Sequence, residues 1–416
     1  MKTFRSLRSH NFRLWALGAF VSNIGTWMQR IAQDWVVLTE LTDQSATAMG
    51  IVLGLQFGPQ ILLLPVSGYV ADHYDRRRLL LATQLISAAL ALGLGLLILT
   101  GAVQLWQVYL FAFLLGCVSA LEAPARQSFV GELVDDAHLS NAVALNSSSF
   151  HTGRLIGPAI AGVMITAVGS GWVFLINALT FLPVVATLLL LRRSELQQRD
   201  RPPHSRGSFM EGFRYVWGRP DLMAVLLMLF LIGTFGNNFP IYISTMAVTV
   251  FETGASQFGF LSSMMAIGSV IGALMSATRE RPRFGLLLAG ALVFGVGLSV
   301  AALMPTYAGF AVVLVLIGLS AQTFSTTAFG AAQLWTDAKM RGRVMAIVMA
   351  ITMGGTPIGA PLVGWVADSF GARWALAVGA LSGLGAAGVA VRYLVRYRGL
   401  RVFMEGGRIR YRYDKA

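Results

Sequence analysis

The amino-acid sequence predicts an all-α integral membrane protein with twelve transmembrane helices in two pseudo-symmetric six-helix bundles. Three observations carry that expectation. Of the 416 residues, 56% are hydrophobic and only 12% charged, where a soluble domain keeps about a quarter of its residues charged; mean hydropathy is +0.66. Apolar runs of about 20 residues, each long enough to cross a hydrocarbon core ~30 Å thick, recur along nearly the whole chain. The second half also echoes the first. At an offset of 202 residues, Ile156, Gly157, Gly162, Gly169 and Trp172 fall on Ile358, Gly359, Gly364, Gly371 and Trp374 without a gap, and Gly116 falls on Gly318. A parallel six-plus-six repeat is a transporter architecture with its substrate site between the halves.

In order, the runs fall at 12–38, 47–71, 79–100, 103–124, 141–168, 171–191, 221–250, 256–278, 285–304, 307–333, 343–367 and 374–393, numbered as spans 1 to 12. The organisation reads as an N-terminal six-helix bundle over 1–191, a linker over 192–220, a C-terminal bundle over 221–393 and a basic tail over 394–416. The first run is too long for a signal-peptide core and lacks a small-residue cleavage site, so it reads as a retained span. Cys117 stands alone inside span 4, which excludes an intrachain disulfide. In the linker, Pro202 and Pro203 mark an irregular stretch. Phe209, Phe213, Val216 and Trp217 then follow at helical spacing opposite Glu211 and Arg214, the pattern of an amphipathic helix in the headgroup layer.

A net charge of +13 raises the question of nucleic acid, and placement answers it. Of the 32 Lys and Arg residues, only Arg30, Arg154 and Arg373 stand outside clusters that fall on one face if the spans alternate. That asymmetry places both termini and the central linker in the cytoplasm. The expected partners are therefore the lipid bilayer, a small-molecule substrate and protons, with no nucleic acid, and the expected state is a monomer in the cell membrane. No phosphate-binding G-x-x-x-x-G-K-[ST] loop is present, so ATP drive is not expected. The histidines show no metal-ligand spacing and no Ser-His-acid or Cys-His set stands out, so no enzyme, metal or cofactor is expected; a proton gradient would be the driving force.

Two motifs refine the reading. Between spans 2 and 3 stands "GYVADHYDRRRLLL" (68–81), with a small residue, an acid at the span end and three arginines. Here the chain resembles the major facilitator superfamily, whose signature in this loop is G-x-L-x-D-[RK]-x-G-R-[RK]. Gly68, Asp72, Arg76 and Arg77 match, while Val70, His73 and Asp75 depart from it. The resemblance implies a latch holding the cytoplasmic ends of the halves together, with Asp72 meeting the start of span 11 near Arg343. In span 5, "GRLIGPAIAG" (153–162) matches the antiporter pattern G-x-x-x-G-P-x-x-G-G at Gly153, Gly157, Pro158 and Gly162, with Ala161 in place of one glycine. With "GTWMQRIAQDW" and "PARQSFV", it resembles the efflux branch that includes bacterial multidrug and siderophore exporters.

Charged residues inside spans complete the candidate site. Counted along the helices from the outer ends of their spans, Asp34 lies nearest the outside, then Arg30, Arg154 and Glu122 at increasing depth. Charges at such depths should face a partner or a wet cavity. Arg30 and Asp34 share a helix face at i, i+4, and Arg154 and Glu122 are within reach in depth; all four are proton-coupling candidates, a static ion pair being the alternative. Resembling antiporters place an acid like Glu122 against the loop signature, a latch role. The superfamily's cavity-lining spans would bring Trp27, Gln33, Trp35, Phe235, Asn237, Asn238, Gln322 and Phe324 toward substrate. The function expected is proton-coupled efflux of an amphipathic compound by alternating access. Facilitated or import transport is the alternative, and a non-transporting sensor or scaffold the more distant one.

Overall fold

Proline and glycine decide where the helices bend and stop. The computed structural model describes residues 2–197, 209–277, 279, 282–405 and 408–413. Span 1 runs His10–Trp35, capped by the Ser9 side chain accepting from the Phe12 amide, and ends in a π-helical turn, Val36–Glu40. Span 2 is two segments, Ala46–Leu62 and Leu64–His73. They part at Leu63, one turn beyond Pro59, which has no amide hydrogen to give its own helix. Spans 3 to 5 run Arg76–Leu99, Leu105–Glu132 and Asp136–Val168, and span 6 covers Ser170–Leu190 with a joint near Phe181.

Span 7, Pro220–Val250, is interrupted at Asn237 and Asn238 and contains two π-helical turns. Spans 8 to 12 run Ala255–Ala277, Phe284–Leu303, Tyr307–Leu334, Arg341–Phe370 and Ala372–Arg398. The repeat read from the sequence is visible in the backbone. Gly169 and Gly371 have φ of 93° and 101° and turn span 5 into span 6 and span 11 into span 12 with no intervening loop, a conformation that a side chain would oppose.

Among the described residues, nine helices are long and apolar enough to cross a membrane, namely spans 3, 4 and 6 to 12. Span 2 is divided by its break, and spans 1 and 5 carry the buried or half-buried Asn23, Gln29, Arg30, Gln33, Asp34, His151 and Arg154. The segment after span 12, expected only as a basic tail, contains an antiparallel hairpin of β1 (Leu400–Glu405) and β2 (Arg408–Tyr413).

The halves meet along two pseudo-equivalent seams, span 2 with span 11 and span 5 with span 8. Small residues permit both. Gly364 lies on the Ala46–Thr47 backbone and Gly50 on Ala360–Pro361, while Gly162 lies on Ala255–Ser256 and Gly259 on Pro158. Close backbone approach is what holds membrane helices together where burial of apolar surface from water contributes little. All these contacts lie toward the face opposite the basic loops. The first seam continues inward to Ile61 against Gly354 and then parts. Leu62 is 76% exposed, and around Gly68 and Gly342 nothing lies within 4 Å of where a Cβ would stand. The bundle is thus closed at one face and parted at the basic face.

The linker's proline-containing stretch lies outside the described residues. The amphipathic helix is present as Phe209–Trp217, but its faces differ in part from the expected ones. Val216 turns into the protein, 1% exposed, while Met210, Phe213 and Trp217 point outward. Gly212 fits against Arg343 and Ile347, and Glu211 pairs with Arg343 at 2.7 Å, so the helix is clamped to the start of span 11.

Candidate functional site

The glycine-rich turn of span 5 builds the site. A Cβ at Gly153 would meet the Asn23 backbone at 2.9 Å, and one at Gly157 would meet Trp27 Cβ at 2.6 Å. Gly153 and Gly157 therefore seat span 1, while Pro158 and Gly162 on the same helix seat span 8. The motif places span 5 between its own half and the other half. It also brings Arg154 beside Trp27, its guanidinium carbon 5.6 Å from the indole centroid. Arg30 lies over the same ring at 4.9 Å and over Phe57 at 5.8 Å, both within cation–π range. Phe150 meets Trp27 edge-on at 5.6 Å, and His151 follows it on span 5.

Asp34 is one turn away from Arg30 and only 6% exposed. Among the described residues, no carboxylate oxygen comes within 4.0 Å of either the Arg30 or the Arg154 guanidinium. Arg30 and Asp34 therefore act on each other across a gap. Two half-buried cations thus meet one indole ring, with the buried Asp34 one turn from Arg30, and among the described residues none of the three closes into an ion pair.

The expected reach between Arg154 and Glu122 is not realised. Glu122 accepts from Gln84 Nε2 at 2.9 Å and pairs with Arg126 at 3.3 Å. Arg126 also donates to Asn23 Oδ1 at 3.1 Å, and Asn23 donates to Ser149 Oγ at 3.0 Å. Glu122 thus belongs to a network tying spans 1, 3, 4 and 5 together, because its face of span 4 turns toward span 3. Nor, among the described residues, does it meet the loop signature: Arg76 pairs with Glu132, at the end of span 4. Arg77 donates to the Leu188 and Leu189 carbonyls at the end of span 6.

Asp75, which departs from the family pattern, caps span 3 by accepting from the Arg78 amide at 2.8 Å. Gly68 is open, and Arg343, the expected neighbour of Asp72, is engaged by Glu211. The side chain of Asp72 lies outside the described residues. Sequence reasoning passed over Glu132 and Gln84 as partners; their only signal is a polar residue at the right depth, which does not specify a facing neighbour.

The expected cavity residues do not form one lining. Trp35 stacks on Phe258 of span 8, centroids 6.4 Å apart, in the closed seam. Phe324 is 1% exposed and packs on Gly290 of span 9, inside the second half, so it is a core residue rather than a wall of the opening. Gln322 lies toward Gly272 of span 8. Near the break in span 7, Asn238 donates to the Thr234 carbonyl at 2.8 Å, while among the described residues its Oδ1, like Gln33 Nε2, is buried without a partner. Asn237 is exposed. Phe235 is half-buried, and its carbonyl accepts from the Tyr242 hydroxyl.

This arrangement can be set beside known proteins. The family described as "transmembrane secretion effector" matches residues 1–401. The chain belongs to that family, within the major facilitator superfamily. Its relatives are transporters. It is 28% identical over 365 residues to the staphyloferrin A transporter of Staphylococcus aureus (strain NCTC 8325 / PS 47), covering 85% of this chain and 88% of that one. It is also 28% identical over 368 residues to the enterobactin exporter EntS of Shigella flexneri, covering 86% and 85%.

Among solved structures, a bacterial homologue of the iron transporter ferroportin in an inward-facing state superimposes with a TM-score of 0.73 at 15% identity, covering 93% of this chain and 99% of that one. A bacterial homologue of the lysosomal transporter Spinster gives 0.70 at 16%, covering 92% and 95%. At such identities the likeness is one of fold. This major facilitator protein is therefore a multi-pass membrane transporter related to siderophore exporters.

Proposed function

We propose that this protein is a proton-coupled exporter of a small amphipathic molecule, siderophores being the first class to try because its relatives are named for them. It works as a monomer, without a bound cofactor, in the bacterial cytoplasmic membrane. The observation that carries the reading is Arg30 and Arg154 half-buried over Trp27, with the buried Asp34 one turn from Arg30 and, among the described residues, no closed ion pair to any of the three. Buried membrane charges of this kind mark substrate and proton pathways. With the basic face in the cytoplasm, the parted end faces inward, where an exporter loads.

Substrate would settle against the aromatic wall while Asp34 is ionised. After the halves rock, Asp34 would take a proton from outside as substrate leaves, and release it once the inward opening returns. Inverted vesicles with a pH-sensitive dye and a siderophore panel test this. Wild type should accumulate substrate only when the lumen is acid and should dissipate that acidity on substrate addition. Asp34→Asn should abolish the substrate-induced proton movement yet retain some substrate binding. Unchanged proton coupling in that variant would reduce Asp34 to a helix-pairing charge. Uptake without a gradient would favour facilitated transport.

A further inference from the structure

Spans 2 and 11 end on the same five-residue pattern. Gly68-Tyr69-Val70-Ala71-Asp72 closes span 2, and Gly364-Trp365-Val366-Ala367-Asp368 approaches the end of span 11. These two helices are partners in the first seam and, because they run in opposite directions, their matching ends lie at opposite faces. The offset of the parallel repeat does not relate them. In each copy an acid follows a glycine by one helical turn.

At the closed face the span 11 copy is fully engaged. Gly364 lies against the Ala46–Thr47 backbone so closely that a side chain would not fit. One turn on, Asp368 accepts from the Ala46 amide at 2.6 Å, the Thr47 amide at 2.9 Å and the Ser45 hydroxyl at 3.0 Å. Those are the first two free N–H groups of span 2; the third, on Ala48, goes to Ser45 Oγ at 3.2 Å. A helix start offers orphan donors and partial positive charge, so a carboxylate from the other half serves it as a cap in trans. At the parted face the start of span 11 has no side-chain cap among the described residues, and Gly68 stands open.

We propose that Asp368 is the latch of the closed outer face: its carboxylate, held on the start of span 2, biases the halves toward the inward-open arrangement. It opposes the cytoplasmic latch that the family resemblance assigns to Asp72. Transport then exchanges one carboxylate-to-helix-start contact for its counterpart at the other face. The inference concerns the balance of states within the proposed cycle and depends on neither the substrate nor the proton carrier.

The test is a pair of distances by spin-label spectroscopy in a Cys117→Ser background, without substrate. One pair, Gln44→Cys with Glu252→Cys, spans the outer seam; the other, His73→Cys with Lys339→Cys, spans the basic face. Asp368→Ala should lengthen the outer distances and shorten the inner ones, changing the ratio of states by between about twofold and thirtyfold, the range expected for loss of a helix cap. Asp368→Asn, which keeps an acceptor without its charge, should fall between parent and Asp368→Ala. Asp72→Asn should shift both pairs the other way.

If Asp368→Ala is too unstable to measure, Ser45→Ala, which removes one of the three bonds, should move the pairs in the same direction by less. Parent-like distances in Asp368→Ala and Asp368→Asn, or in Ser45→Ala where it must stand in, would overturn the proposal. Loss of proton coupling or of siderophore transport elsewhere would leave this readout untouched.

Discussion

Glu132 and Arg76 show how finely a membrane protein chooses among its charges. Glu122 and Glu132 both lie on span 4, and the arginine loop could have reached either by depth, but only Glu132 faces it. Removing one partner leaves the other partly buried and poorly satisfied, which costs about 1–3 kcal/mol. Glu132→Gln should accordingly lower the thermal unfolding temperature in detergent while leaving ligand binding at Trp27 unchanged. Glu122→Gln should instead loosen the Gln84, Arg126 and Asn23 network beneath the site and weaken binding as well. Tryptophan-quenching titration with substrate separates the two, and equal effects would mean that the two acids share one role. Arg154 is the residue whose depth was legible and whose partner was not: the helical period says how deep it sits, whereas the ring it covers is set by how span 1 rotates against Gly157.

At the scale of elements, span 5 is a hinge plate between two neighbours. Adding bulk at Gly157 would drive Trp27 off the position it shares with Arg30 and Arg154. Gly157→Val should reduce transport strongly at a stability cost of about 1–3 kcal/mol, the usual penalty for overfilling a packed contact. At Gly58 no described atom of another element lies within 4 Å of where a Cβ would stand, so it should accept alanine with little change. Comparing transport and melting temperature for the two variants checks this, and equal tolerance would remove the packing argument. The linker helix teaches a related lesson. Its amphipathic spacing was plain in the sequence, but Val216 faces protein rather than lipid, because Glu211 and Gly212 dock the helix on span 11.

For the whole molecule, the twelve spans and their grouping were legible because crossing a hydrocarbon layer is a one-dimensional demand that each segment must meet by itself. The repeat was legible where glycine is obligatory, as at Gly169 and Gly371. Which faces meet was not, since in lipid the inner and outer surfaces of a helix are equally apolar and hydropathy gives no direction. That is why Phe324 and Trp35 were expected beside substrate and lie instead in the second half's core and the closed seam. Orientation has a direct check. Cysteines at Gln44 and Gln197, both exposed, in a Cys117→Ser protein should label from opposite sides of the membrane with an impermeant reagent. Labelling of both from outside would end the assignment of the basic face to the cytoplasm.

Spans 1 and 5, with too many polar groups to count as simple membrane segments, and the broken span 2 bear on how the chain is made. A charge at the centre of a lone helix costs about 2.5–3.5 kcal/mol during insertion, and span 1 carries both Arg30 and Asp34. It also leaves the ribosome before spans 2 to 12. Its natural companions, the glycines of span 5 and the Asn177 amide of span 6 that meets Gln29 at 2.5 Å, are synthesised four and five spans later. The nascent helix is therefore without these companions until span 6 emerges, and the residues proposed to serve transport in the finished protein are the ones that would burden its unfinished form.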